Sequence, residues 1–181
     1  MKIKFNEPPP QASDGWHTET VADVIDAGQM KSEFGGRTVT RDKLKLRGFL
    51  DEVDPETGKQ ITIDSLYTAS VHPKSKFYKL VKIITGSEPK RNATGLFDCD
   101  SLLNRTFLCE TERKSTATGT WARVIAVKAA PPGTQPVAVP LNYKREKEKL
   151  QSTGTKVNGF AAETDTSTTD DEVLAFPGAD G

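Results

Sequence analysis

Alternating cations on one predicted strand are the residues of this chain best placed to do chemistry. Over residues 38–50 polar and apolar side chains alternate with a period of two, and three leucines (Leu44, Leu46 and Leu50) fall on one face. The opposite face carries Lys43, Lys45, Arg47 and Phe49. Successive side chains on one face of a strand lie about 6.5–7 Å apart, close to the phosphate spacing of an extended nucleic-acid strand. Such a face offers cations to phosphates and a ring to an unpaired base, which are the two needs of single-stranded nucleic acid.

Other basic and aromatic residues extend this candidate set. Trp121 and Arg123 share a face of a later strand, Tyr67 ends an intermediate one, and the remaining cations lie in or beside loops. The nucleic-acid-binding residues we predict are Arg37, Arg41, Lys43, Lys45, Arg47, Phe49, Tyr67, Lys114, Trp121 and Arg123. The alternative is that the cations are ordinary solvated surface charges and that Trp121 belongs to the core.

Patterns typical of catalysis or of metal binding are absent from the sequence. It contains neither the glycine pattern of dinucleotide-binding sites nor that of the P-loop. Asp98 and Asp100 are better interpreted as a solvated helix cap than as a cation site. Cys99 and Cys109 lack the spacing of metal ligands, and a single His72 before a proline is typical of a loop. We therefore predict no catalytic residue, no metal ligand and no cofactor.

The elements that position these residues are predicted in the order strand, strand, strand, helix, strand, strand. The strands are expected at 17–27 (continuing irregularly to residue 34), 38–50, 60–70, 106–113 and 120–127. An apolar stripe at Phe77, Leu80, Val81 and Ile84 predicts a helix that ends at Gly86.

This order is that of the OB-fold, a five-stranded barrel whose helix lies between its third and fourth strands. The predicted fold class is thus all-β with one helix, and a generic antiparallel α+β sandwich is the alternative. OB-folds grip oligonucleotides with the loops after their first and fourth strands. Arg37 and Arg41 flank the first of these predicted loops, and Lys114 lies in the second.

The net charge of zero conceals an uneven distribution along the chain. Residues 1–150 hold 24 Lys and Arg against 19 Asp and Glu, whereas residues 151–181 hold one Lys and six acids. Composition divides the 181 residues into a flexible leader (1–15), an OB-fold-like domain (16–130), a proline-rich and charged connector (131–151) and an acidic tail (152–181). The tail is too polar to bury a core and is expected to be disordered.

Within the tail, an acidic cluster precedes an aromatic residue. Asp170, Asp171 and Glu172 come before Phe176. Such a segment can dock into a basic, apolar-floored pocket on a partner, or fold back over the chain's own basic groove. The alternative is a tail that only improves solubility.

The rest of the sequence bears on location and assembly. No apolar run approaches the ~18 residues of a membrane span, and the first residues lack the apolar stretch of a signal peptide. Two cysteines do not form a disulfide framework, so we expect a cytoplasmic protein without membrane partners. An exposed sheet edge would allow two copies to pair as a homo-oligomer, although nothing in the sequence selects this.

Several segments resemble known single-stranded DNA-binding proteins. The tail is similar to the acidic tip of the bacterial and phage proteins, Asp-Asp-Asp-Ile-Pro-Phe, although here five residues follow Phe176. Residues 22–26, 67–76, 97–104 and 135–141 resemble phage and prophage OB-fold proteins of replication and recombination modules. In that group a glycine often follows the paired leucines, and Asn104, which tolerates a left-handed backbone, stands there in this chain.

The resemblance implies a non-enzymatic protein of a bacterial host cell that coats single-stranded DNA. Such a protein binds without sequence specificity and recruits replication or recombination partners through its tail. The alternative function is a protein-interaction or inhibitor module whose basic face meets an acidic partner protein.

Overall fold

One antiparallel sheet of five strands forms the framework of the protein. A computed structural model describes residues 9–117 and 119–152. Its strands are β1 (Gly15–Phe34), β2 (Arg37–Val53), β3 (Gln60–Thr68), β4 (Thr106–Thr116) and β5 (Gly119–Ala129). Two α-helices, α1 (Lys76–Thr85) and α2 (Glu146–Ser152), and a 3₁₀ helix (Cys99–Leu102) complete it. The predicted mostly-β fold, with a helix between the third and fourth strands, is confirmed.

The first strand lies at the centre of the sheet, whose order is β3-β2-β1-β4-β5. Residues 15–20 of β1 pair with β4, and residues 19–34 pair with β2. Two bulges, at Ala22 and Ala27, bend β1. Cα atoms of β3 and β5 come within 8 Å of one another. No ladder joins these two strands within the described residues, so closure into a barrel stays a prediction.

The hairpin of β1 and β2 extends past its neighbours as a two-stranded ribbon, residues 29–42, which we call the arm. The ladder to β3 stops at Lys43, and the ladder to β4 lies at the other end of β1. Gly35 and Gly36 form the turn at the tip with φ values of 55° and 75°. Two successive positive φ angles suit the twist of a tight hairpin, and glycine adopts them without steric cost.

Apolar side chains from the strands and from α1 form the main core. Leu44, Leu46 and Leu50 are buried there as predicted, together with the four apolar residues of the helical stripe. The Ser75 hydroxyl accepts a hydrogen bond from the Tyr78 N–H, which caps the start of α1. Gly86, with φ 70°, ends the helix where the sequence predicted.

The boundaries of β4 and of the leader differ from the expected ones. β4 continues to Thr116, so Lys114 lies in a strand and not in the hairpin loop. The described part of the leader packs against the sheet. Ala12 is 1% exposed, and its carbonyl accepts a hydrogen bond from Arg113 Nε at 2.7 Å. The Gln11 side chain likewise accepts from the Ala122 N–H at 2.8 Å. Residues 1–8 lie outside the described residues.

The segment expected to be a connector lies across the outer face of the sheet, and we call residues 134–150 the strap. Val137 is buried, and its N–H donates to the Thr20 hydroxyl at 2.9 Å. The Tyr143 ring meets the Phe49 ring edge-on, with 5.4 Å between centroids. Together with Ala22 and Val139 these residues form a second, smaller apolar cluster. The fold therefore extends about twenty residues beyond the predicted end of the domain.

Buried charge holds the strap in place. Asp23 is 1% exposed and accepts from Arg145 Nε at 3.1 Å and from the Glu146 N–H at 2.7 Å. Arg145 also donates to Asp100 through Nη2 at 2.6 Å, and Lys147 Nζ lies 2.6 Å from the same carboxylate. Both cations lower the pKa of Asp100, to about 2. The strap is thereby joined to β1 and to the 3₁₀ helix.

Candidate nucleic-acid interface

A row of cations follows one face of β2. The strand is continuous from residue 37 to residue 49, because both register shifts fall on the β1 side of the ladder. Odd-numbered residues therefore share a face. This face carries Arg37, Arg41, Lys43, Lys45 and Arg47, which we call the β2 row. Its length is roughly 33 Å, at about 3.3 Å per residue.

The two ends of the β2 row differ in exposure. Arg37 and Arg41 are exposed on the arm, where both lie within β2 and Arg37 directly follows the turn at Gly35 and Gly36. Lys43, at the base of the arm, is half-buried and donates from Nζ to the Thr68 hydroxyl at 2.8 Å. The row thus runs from a solvated ribbon onto the body of the sheet.

An acidic residue on β3 offsets part of the charge at the body end of the row. Asp64 accepts from Arg47 Nε and Nη2, both at 2.7 Å, and lies 3.3 Å from Lys45 Nζ. Burial opposes ionisation of Asp64, but the two cations outweigh it and lower its pKa. The same carboxylate raises the pKa of Arg47. Arg47 is consequently held in a fixed direction, and a phosphate would have to compete with Asp64 for it.

An exposed apolar residue lies beside the centre of the row. Leu66 of β3 pairs with Lys45 in the ladder and is 51% exposed. Ile25 of β1 pairs with the same lysine from the other side. A cation flanked by apolar side chains can take a phosphate while a base or sugar packs beside it.

Two of the predicted aromatic contacts are corrected by the structure. Phe49 is 6% exposed because the strap covers it, with Tyr143 and Val137 against its ring. Tyr67 pairs with Leu44 on the core face of the sheet, and its ring packs 6.2 Å from that of Phe77. Burial raises the pKa of Tyr67. Neither ring is open to a base, so both residues stabilise the fold.

The hairpin of β4 and β5 presents an exposed aromatic residue, Trp121. Trp121 is 43% exposed and pairs with Lys114 across the ladder, so the two side chains share a face. Arg123 lies on that face too, as predicted, and is bound by Glu112 through Nη2 at 2.7 Å. An exposed indole beside a lysine is a suitable stacking platform for an unpaired base.

The remaining predictions concern the acidic tail, metal ligands and membrane spans. Asp170, Asp171, Glu172 and Phe176 lie outside the described residues. Across residues 9–117 and 119–152, no group of three or more His, Cys, Asp or Glu side chains is arranged to hold a metal ion. In the same part of the chain, no helix is long and apolar enough to cross a membrane.

Sequence reasoning missed three contributors to this surface. Leu66 had a signal, since it is the one large apolar residue among Thr62, Asp64 and Thr68 on the polar face of β3. Asp64 had no local signal, because it lies opposite Arg47 only as a result of the register between β2 and β3, and the length of the turn sets that register. The strap had no periodic signal, because its contacts are made by single residues at irregular spacing.

A buried carboxyl lies on the opposite, core face of β1. Glu19 is 1% exposed, and its Oε1 has no hydrogen-bond partner. Burial raises its pKa from 4.5 to about 8, although the nearby Cys109 thiol, a hydrogen-bond partner, opposes this. Gly48 leaves room for it, since a Cβ at that position would fall 2.2 Å from Oε1.

No protein-family model matches this chain, and a search of curated proteins finds no match either.

Proposed function

We propose that this protein binds single-stranded DNA without sequence specificity, along the β2 row and beside Trp121. One observation carries the proposal, namely that five cations lie on a single face of one continuous strand. Residues 41, 43, 45 and 47 are spaced by about 6.5–7 Å along the strand, which suits successive phosphates of an extended chain, and Arg37 lies about 13 Å beyond Arg41. The arm supplies the solvated half of this track.

The remaining elements of the interface support the same function. Trp121 and Lys114 offer a ring and a cation side by side on the β4–β5 hairpin. Leu66 offers an apolar contact next to Lys45. Duplex DNA presents its bases only as edges in its grooves, whereas a single strand exposes base faces to stack. The combination therefore favours the single strand.

Binding by this surface should depend strongly on salt. Each phosphate neutralised on a single strand contributes about −0.7 to the slope of log K against log salt. Four or five contacts give a slope of about −3, which titration of oligo-dT, followed by quenching of Trp fluorescence, would measure. Binding that is insensitive to salt between 50 and 300 mM would contradict the proposal.

A matched pair of variants tests the position of the site. We expect Arg41→Gln/Lys43→Gln to weaken oligo-dT binding on the order of 10-fold, because two phosphate contacts are lost. The control, Lys59→Gln/Lys128→Gln, removes the same charge from exposed positions outside the β2 row. Equal effects of the two variants would mean that net charge, and not this face, governs binding.

The resemblance of the tail supports a second part of the proposal. Asp170, Asp171 and Glu172 with Phe176 would recruit replication or recombination proteins in the cytoplasm of a bacterial host, for a protein of phage or prophage origin. A chain ending at Ser152 should retain oligo-dT binding but lose such partners in a nuclease-treated pull-down. An unchanged set of captured proteins would argue against this role.

The alternative, an acidic protein partner for the β2 row, makes a different prediction. Pull-down from nuclease-treated lysate would capture a protein, and this capture would fall with Arg41→Gln/Lys43→Gln. Oligo-dT would then fail to compete for the same surface.

A further inference from the structure

The net positive charge of residues 1–150 is concentrated on α1 and the segments beside it, and not on the β2 row. Residues 72–91 hold six Lys and Arg residues and a single acid, Glu88. The remainder of residues 1–150 holds 18 basic and 18 acidic residues. This concentration plays no part in the surface described above.

The helix directs its lysines outward along one stripe. Lys76, Lys79 and Lys82 are exposed and spaced at i, i+3 and i+6, while the apolar stripe of α1 from Phe77 to Ile84 is buried. At about 1.5 Å of rise per residue the three span roughly 9 Å. The sequence of α1 contains no acid. Like charges three residues apart destabilise a helix slightly. Glu88 offsets part of this charge, because its Oε1 lies 3.6 Å from Lys82 Nζ, so a phosphate would compete with Glu88 for that lysine.

The stripe suits a phosphate backbone better than a protein partner. Protein interfaces depend on a few large apolar or aromatic anchors. In the part of the chain that the structure describes, none of the exposed large apolar side chains belongs to α1. Lysines act as point charges, which is what the phosphates of a strand require.

A series of short hydrogen bonds connects the β2 row to the start of α1. The Ala69 N–H donates to the Asp42 carbonyl at 2.9 Å, and the Ser70 N–H donates to the Thr68 carbonyl at 2.8 Å. The hydroxyl of Ser75, the cap of α1, donates to the Ser70 carbonyl at 2.6 Å. Since Lys43 bonds Thr68, the helix cap is held next to the base of the arm. The exposed Lys74 lies within this connection.

We propose that a single strand leaving the β2 row at Lys43 continues over Lys74 onto the lysine stripe of α1. The α1 stripe is then a second backbone-binding surface, and it deepens the proposed function, on which it rests. Because the β2 row spans about five nucleotides at 6.5–7 Å each, a short oligonucleotide occupies the row alone. A longer one reaches both surfaces.

Oligonucleotide length separates the two surfaces experimentally. The full-length protein and the variant Lys76→Gln/Lys79→Gln/Lys82→Gln are titrated with (dT)6 and (dT)15. We expect (dT)6 affinity to change less than twofold. We expect (dT)15 affinity to fall on the order of 100-fold at 0.1 M salt, and the salt slope to become shallower by about 2.

The control variant removes three exposed lysines outside the arm, the β2 row and α1, Lys59→Gln/Lys128→Gln/Lys144→Gln. Circular dichroism and thermal melting establish that both variants are folded. Equal losses in the two variants, or an α1 variant that binds (dT)15 as the wild type does, would overturn the inference. In the latter case, loss of binding to a poly-Glu peptide would assign the stripe to an acidic protein. If the wild type bound neither oligonucleotide, the proposed function itself would fail.

Discussion

Arg47 of β2 and Asp64 of β3 form a two-pronged ion pair across the ladder, with both nitrogen–oxygen distances at 2.7 Å. The pair lies on the face that we propose binds DNA, and the same carboxylate lies 3.3 Å from Lys45 Nζ. One acid thus competes with phosphate for two cations of the β2 row. This arrangement restrains the affinity of the surface and keeps its Arg47 guanidinium fixed in direction.

Removing that carboxylate should strengthen DNA binding. In Asp64→Asn the two cations lose their competing anion, and one additional phosphate contact would raise oligo-dT affinity about 5-fold at 0.1 M salt. Fluorescence titration checks this, with the exposed Glu56→Gln in the β2–β3 turn as the control for net charge. An affinity no higher than that of the control would show that Arg47 and Lys45 do not contact the strand.

Phe49 and Trp121 should respond in opposite ways to substitution by leucine. Phe49→Leu removes the edge-on contact with Tyr143 and should lower the free energy of unfolding by about 1–2 kcal/mol while leaving oligo-dT affinity unchanged. Trp121→Leu removes an exposed stacking surface and should weaken binding about 10-fold, at the low end of the ~1–3 kcal/mol per stacked base. Urea denaturation and gel shifts measure the two effects. A loss of binding without a loss of stability in Phe49→Leu would contradict the assignment.

Arg145 should contribute strongly to stability through its ion pair with the buried Asp23. Arg145→Ala leaves Asp23 buried without its cation, which typically costs about 3–5 kcal/mol. Adding Asp23→Asn removes the uncompensated charge, so the double variant should recover part of the loss. The four proteins form a double-mutant cycle, measured by urea denaturation. Additive losses would mean that the strap does not depend on this ion pair.

Glu19 should make stability depend on pH in a predictable direction. Burial raises its pKa from 4.5 to about 8, so the folded protein keeps a proton that the unfolded chain releases between those values. The protonated Glu19 therefore adds to the free energy of unfolding. This addition is complete below pH 4.5 and is lost as the pH rises through 8, by several kcal/mol in total.

The variant Glu19→Gln has no such titration. The stability of the wild type relative to this variant should therefore be greatest at pH 5 and should decline steadily to pH 8. Urea midpoints at four or five pH values measure the difference. Parallel pH profiles for the two proteins would show that Glu19 ionises in the fold at its ordinary pKa.

Local patterns explain which parts of the fold were predictable. The alternation around Leu44 and Leu46, the stripe from Phe77 to Ile84 and the stop at Gly86 each depend on neighbours in sequence, and the structure agrees with them. Lys114 was misplaced because β4 continues past the point where its apolar alternation ends. Polar residues pair between β4 and β5 and extend the ladder to Thr116. Their composition is typical of a loop, so the sequence alone did not indicate a strand there.

Long-range contacts explain why the site was predicted only in part. The cations of the β2 row share a face because they lie on one continuous strand, which sequence spacing reveals. Phe49 obeys the same spacing, yet residues almost a hundred positions later cover it. Tyr67 faces inward because its register with Leu44 places it there. The alternation of polar and apolar residues along one strand does not show which distant segment will cover it. It also does not show the register with a strand across a turn.

The central position of β1 has a consequence for how the chain is made. Its two partners are β2, which follows directly, and β4, which begins more than seventy residues after β1 ends. Thr20 and Asp23 of β1 also accept hydrogen bonds from Val137 and Arg145, which are synthesised more than a hundred residues later. On the ribosome, the earliest strand to emerge is therefore the last to be enclosed, and contacts so distant in sequence slow the search for the native state. In the nascent chain, β1 therefore lacks part of its native contacts until synthesis is nearly complete.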